Sequence, residues 1–212
     1  MLENFKAFIA NHFDFKFYSV TWVALIIGLS IIPCLMFMPQ KYGYENGFLE
    51  SIQMLVLFWI LIMSLTSKVN KRFFRFAALA LTIIMIREVN CGRTLFFHIP
   101  GTENSFYSWK QIKYGYLVHP IYGAYIGLIG LSFLSRKLYV DLWNMIKNIK
   151  LPVWNLLFMG FASFCGAIAE KATNNNFIFE EGFELLFYVA LAGIVYLYTR
   201  DKNFAIEQNN EL

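Results

Sequence analysis

The side chains with the most chemistry to offer are Arg87 and Glu88, at the end of the apolar run Phe73 to Ile86, whose only polar interruptions are Arg75 and Thr82. Ionised groups in such a position are costly in hydrocarbon, so they are kept where a partner or a wet cavity receives them. A guanidinium presents a planar fork to phosphate or carboxylate. Arg87 and Arg93 are therefore assigned to hold an anionic group, with Glu88 as a general base. The competing reading is an interhelical ion pair, for instance Arg87 with Glu184, that only holds the bundle together.

A second carboxylate group is Glu180, Glu181 and Glu184, spaced so that Glu184 shares a helix face with either of the other two. Carboxylates placed this way act as a base, relay protons or bind a cation. Glu180 and Glu181 also suit the positive end of a helix dipole. Glu50 and Gln53, three residues apart, form a third polar face, and Glu170-Lys171 a fourth. The catalytic candidates are Glu88, Glu184, Glu50 and His119. The substrate contacts are Arg87, Arg93, Gln53, Glu170, Lys171 and Glu181. His98 and His119 beside glutamates would suit a metal site of two histidines and one carboxylate. Neither an H-x-x-x-H nor an E-x-x-H spacing is present, so no metal ligand is assigned. Ser51 and Ser163 lack the G-x-S-x-G context of an activated serine and read as packing residues.

The elements that position these groups are apolar runs long enough to cross a bilayer of roughly 30 Å. The chain has 212 residues, 58% hydrophobic and only 15% charged, against about a quarter charged in an ordinary soluble domain. The runs predict six helical spans, about Tyr18 to Met38, Asn46 to Ser67, Phe73 to Gly92, Gly115 to Leu134, Leu151 to Ala172 and Glu180 to Tyr198. Pro33 is expected to kink the first. Gly123, Gly127 and Gly130 are expected to give the fourth a close-packing face, and Ala162, Gly166 and Ala169 the fifth. The fold class is an all-α polytopic membrane helix bundle. An interfacial amphipathic helix occupies 1–16, the six-span domain 17–200 and a tail 201–212. No cleavable signal peptide is read at the start of the chain.

Most of the eighteen lysines and arginines fall on one side of this arrangement, which predicts that both termini are cytoplasmic. Their place in short loops between apolar runs makes nucleic acid an unexpected partner. Glu45, Glu50, Glu88, Glu103, Glu170, Glu180, Glu181 and Glu184 gather on the other side. If the third span starts near Phe73, Arg87 lies about 21 Å along it, with roughly 9 Å of hydrocarbon above. One polar cavity open to the outer leaflet accounts for charges at that depth on several helices. Cys34, Cys91 and Cys165 are odd in number and without paired spacing, which argues against a disulfide framework or a zinc knuckle.

Three motifs in order, Glu45-Asn46-Gly47-x-x-Glu50-x-x-Gln53, Arg87-Glu88-x-x-x-Gly92-Arg93 and Glu180-Glu181-x-x-Glu184, resemble those of a group of uncharacterised bacterial multi-pass inner-membrane proteins. The chain has Arg87 where that pattern has a glutamate and Cys91 where it often has tryptophan. The resemblance implies the fold and the inner (plasma) membrane and carries no function. Ceramidase-like membrane hydrolases are similar in having an outer-leaflet polar site, but they need three zinc histidines and only His98 and His119 are placed to serve. CAAX-type proteases carry an arginine where this chain has Leu185.

Three function classes follow. One is an enzyme at the outer leaflet acting on a lipid or lipid-linked anionic substrate; another is a non-catalytic subunit docking a membrane partner protein; the third is a small proton- or cation-coupled transporter. The scarcity of charge in the basic-side halves of the spans counts against the transporter. The partners expected are the bilayer and a lipid head group; no cofactor is assigned.

Overall fold

A computed structural model describes residues 9–102, 104–148, 150–172 and 176–201, with the side chains of 145–148, Glu170 and Ala172 outside that description. The helices are α1 (Ser19–Phe37), α2 (Phe48–Leu65), α3 (Lys71–Glu88), the short α4 (Arg93–Phe96), α5 (Val118–Ser135), α6 (Leu138–Asn148), α7 (Val153–Ala172) and α8 (Phe177–Thr199). Two two-residue strands, β1 (Phe13–Asp14) and β2 (Leu151–Pro152), pair in parallel. The sequence reading carried the N-terminal helix to residue 16. Among its described residues only 9–12 are helical, after which Phe13 and Asp14 reach across to Leu151 and Pro152. Residues 1–8 of that helix, 173–175 of the loop before the last span and 202–212 of the tail lie outside the described residues.

The segments Ser19–Phe37, Gln40–Leu65, Gly115–Ser135 and Phe177–Thr199 are long and apolar enough to cross a membrane, which marks the chain as a membrane protein. Helix α3 misses that standard because Lys71, Arg72 and Arg75 sit at one end and Arg87 and Glu88 at the other. In α7 the apolar stretch stops at Ala169. Helix α1 runs unbroken through Pro33 to Phe37 and is capped at Met38, just before Pro39.

Helix α8 is the axis of the bundle, and α7, α2 and α1 pack directly on it. Its faces supply Phe183, Leu186 and Ala190 to a core with Ala24, Ile31 and Ala162, and Tyr188 and Ala192 to a second with Leu57, Ile60 and Leu81. The small residues expected to let α7 approach do so: Ala162 and Ala169 are buried, and a Cβ on Gly166 would sit 3.8 Å from Phe183. The glycines of α5 do the opposite. Among the described residues nothing lies within 4 Å of a Cβ at Gly123, Gly127 or Gly130. Helix α5 docks on α3 by its tyrosine face instead: Tyr122 donates to the Ile83 carbonyl at 2.9 Å, and the Tyr125 hydroxyl meets that of Thr82 at 2.6 Å. Hydrogen bonds of this kind between membrane helices add to the packing that holds them.

The loop from α1 to α2 lies on the first turn of α8. A Cβ on Gly43 would come 2.7 Å from the Ile178 nitrogen and the Phe177 carbonyl carbon, Tyr44 meets Phe177 edge-on at 5.3 Å, and Gln40 donates to Asn176 at 3.3 Å. The neighbour at Gly43 is backbone and cannot rotate away. Gly43→Ala is therefore expected to cost about 1–3 kcal/mol, read as a lower thermal midpoint in detergent; an unchanged midpoint would mean that the loop does not bear on α8.

Candidate functional site

The start of α2, the end of α3 and the start of α8 meet at one end of the bundle, and that end is acidic. Arg87 closes the last turn of α3 and Glu88 is its final residue. After Val89, three residues in a row have positive φ, Asn90 at 46°, Cys91 at 52° and Gly92 at 85°. Left-handed backbone is costly for residues other than glycine and is held only where the surroundings impose it. Here it breaks the helical backbone between α3 and α4.

Glu88 is the buried centre of the cluster, its side chain 7% exposed against 63% for Arg87. Its Oε1 accepts from Arg87 Nη2 at 2.8 Å and from the Tyr188 hydroxyl at 2.7 Å. Arg87 Nη2 also lies 3.7 Å from Glu184 Oε1 and 3.5 Å from the Tyr188 hydroxyl. Tyr188 follows Glu184 by one helical turn, so both project from the same face of α8. The sequence reading missed Tyr188; its position four residues after Glu184 was the available signal.

Gln53 and Glu181 form a second contact between α2 and α8. The fully buried Gln53 amide donates at 2.8 Å to the Glu181 carboxylate and at 2.9 Å to the Glu181 carbonyl, and its own oxygen is buried without a partner. Glu50 is buried on the same helix and accepts from the Asn46 backbone nitrogen. The Asn46 side chain donates to the Thr94 carbonyl, and the Thr94 hydroxyl to that of Val89 at 3.2 Å. This chain of bonds ties the entry of α2 to the turn after α3. Glu50, Glu88, Glu181 and Glu184 lie within electrostatic reach of one another.

A cavity of about 350 Å³ opens beside this cluster, floored by Glu180, Phe183, Glu184, Phe187 and Tyr188 of α8 and walled by Ile84 and Arg87 of α3 and by Ala162, Ser163, Gly166 and Ala167 of α7. Most of the wall is apolar, with the charges at one end. A second, wider hollow of about 760 Å³ between α2 and α3 is lined by Glu50, Met54, Phe58 and Met85.

The other assigned residues do not join the cavity. Arg93 lies 3.8 Å from Glu45, stands 6.0 Å from the Phe106 ring and reaches the Asn90 amide oxygen at 2.7 Å when that amide is oriented to accept. It braces the loop rather than pairing with Arg87, because the left-handed turn separates the two. His119 is exposed and stacks edge-on to Trp109 at 6.0 Å, and His98 packs against Phe106 at 5.3 Å. Lys171 is exposed in the last turn of α7; the Glu170 side chain lies outside the described residues. Among the described residues no group of three or more His, Cys, Asp or Glu is arranged to hold a metal.

Chemically, the two carboxylates beside Arg87 differ. Glu88 is buried and already accepts three bonds at one oxygen, two from Arg87 and one from Tyr188, which suits it to orienting both. Glu184 faces the cavity and touches Arg87 only loosely, which suits it to exchanging partners. The chain matches no known family model, no characterised protein and no solved structure.

Proposed function

We propose that the cavity between α3, α7 and α8 receives the polar head of a lipid or lipid-linked molecule and that Glu184 acts on it as a base. The observation that carries this reading is the asymmetry around Arg87, whose guanidinium is largely exposed to the cavity while its close partner Glu88 is buried. An anionic head group pairing with Arg87 would displace Glu184 from its 3.7 Å contact, and the freed carboxylate would take a proton from a water whose oxygen adds to the ester carbon or phosphorus of the head group, the ester bond to the alcohol oxygen breaking and the alcohol leaving with that proton. Ile84, Phe183, Phe187 and Ala162 would line the path of an acyl chain. The reading takes the chain as a six-span protein of the inner membrane, both termini cytoplasmic, with α3 and α7 completing the spans and the acidic end at the outer leaflet. The concentration of basic residues at the opposite end supports that orientation.

A second reading is a non-catalytic subunit held together by the cluster. It is favoured by one feature: Arg87, Glu88, Glu184 and Tyr188 satisfy one another without a ligand.

Native mass spectrometry of the purified protein, with lipid profiling of cells carrying each variant, separates the two. Arg87→Gln is expected to lose a retained lipid, and Glu184→Gln to keep the lipid while its cellular level rises as unconsumed substrate. Lipid retention and lipid profiles unchanged by either substitution would reject the lipid site and favour the subunit.

A further inference from the structure

At the end of the bundle opposite the acidic cluster, a pocket of about 380 Å³ lies between the start of α3, the end of α5 and the start of α6. Its rim carries Lys71, Arg72, Arg75 and Arg136, its inner wall Phe76, Leu79 and the buried Leu138, and Ser132 stands at its edge. Among the described residues no carboxylate lines it. Among the described residues only Arg72 of the four cations has an acidic partner, Asp141 at 3.8 Å, and Arg72 remains 59% exposed.

The turn from α5 to α6 shapes the pocket. Lys137 adopts a left-handed conformation, φ 53°, which folds α6 back over α3 and brings the Arg136 carbonyl to the Arg72 guanidinium. That bond fixes Arg72 across the mouth. The N–H of Arg136 closes α5 on the Ser132 carbonyl at 3.1 Å. Helix α6 itself is amphipathic, with Leu138 and Leu142 at helical spacing against Asp141 and Asn144, the pattern of a helix lying in a membrane interface.

Four cations with a single acid among them repel one another unless an anion enters, and guanidinium forks match phosphate oxygens two at a time. The apolar wall below the charges rules against a fully hydrated anion as the best fit and favours a phosphate attached to a hydrocarbon chain. A basic pocket between membrane helices at this level is the arrangement that holds anionic lipid head groups. We infer that this pocket is a binding site for the phosphodiester head group of an anionic phospholipid, bridging α3 to α5 and α6, at the opposite end of the bundle from the cavity beside Arg87. The phosphate would sit among Arg72, Arg75 and Arg136, and the first part of an acyl chain against Phe76 and Leu79. Because α5 meets the bundle mainly through α3, such a lipid would also clamp the most peripheral helix in place.

The test is titration of the full chain in detergent with phosphatidylglycerol, phosphatidylcholine and inorganic phosphate, read by native mass spectrometry and by thermal midpoint. Phosphatidylglycerol is expected to bind in preference to phosphatidylcholine and to raise the midpoint, and Arg75→Gln/Arg136→Gln is expected to weaken it about tenfold or more. Lys68→Gln, a cation near but outside the pocket, is the control for diffuse surface charge and for folding. Equal binding of the two lipids, an equal loss in Lys68→Gln, or full displacement of phosphatidylglycerol by millimolar inorganic phosphate would each overturn the lipid site.

Discussion

Arg87→Met is expected to destabilise the protein by about 2–4 kcal/mol, whereas the double variant Arg87→Met/Glu88→Leu recovers most of that loss. The single substitution leaves Glu88 buried with only the Tyr188 hydroxyl on its carboxylate, and an uncompensated buried charge is far more costly than a pair replaced whole. Because the Arg87 side chain is far more exposed than that of Glu88, most of the cost arises at Glu88. The reverse single variant, Glu88→Leu, leaves Arg87 with Glu184 at 3.7 Å and with water, and is expected to cost less. Unfolding in mixed micelles, measured for the four members of the cycle, gives the coupling energy directly. A cycle in which the two singles add without coupling would show that the pair does not interact in the folded protein. The same double variant separates the functional readings, since a structural cluster is replaceable by apolar residues and a lipid site is not. If the double variant is stable and also leaves the cellular lipid profile intact, the subunit reading stands.

The convergence at the acidic end was legible because membrane burial makes each isolated charge expensive, so several helices with charged ends on one side imply a shared site. Arg87 with Glu184, and Gln53 with Glu181, are contacts between residues that the sequence alone marked as site candidates. Arg93 was marked by type and spacing, yet the three left-handed residues before it turn it outward, and spacing along a helix says nothing once the helix has ended. His119 had only its residue type in its favour. Tyr188 escaped notice because a tyrosine in an apolar run reads as packing, although its hydroxyl needs a partner when buried. The glycines of α5 were assigned by composition, but which face of a helix meets its neighbours depends on the hydrogen bonds that neighbour offers. The pairing of Phe13–Asp14 with Leu151–Pro152 joins segments so far apart in the chain, and so short, that no local pattern announces it.

Asn155 presents the clearest expectation that no charge or motif foretold. It is fully buried near the start of α7, where its side-chain oxygen accepts from the Thr21 hydroxyl of α1 at 2.7 Å and its amide donates to the Ala190 carbonyl of α8 at 3.3 Å. One side chain thus joins three helices. Gly193 makes room for it, since a Cβ there would overlap the Asn155 amide nitrogen. Asn155→Ala strands the Thr21 hydroxyl and opens a void, which costs about 1–2 kcal/mol at the strength of hydrogen bonds between membrane helices. Gly193→Ala forces the amide off its bonds as well as crowding the helices, and is expected to cost at least as much. In the Asn155→Ala/Gly193→Ala variant the new methyl enters the space that the amide has left, so the double is expected to be more stable than Gly193→Ala alone. Thermal midpoints of the three variants check the sign: a double variant less stable than either single would mean that Gly193 is required by the backbone of α8 and not by Asn155.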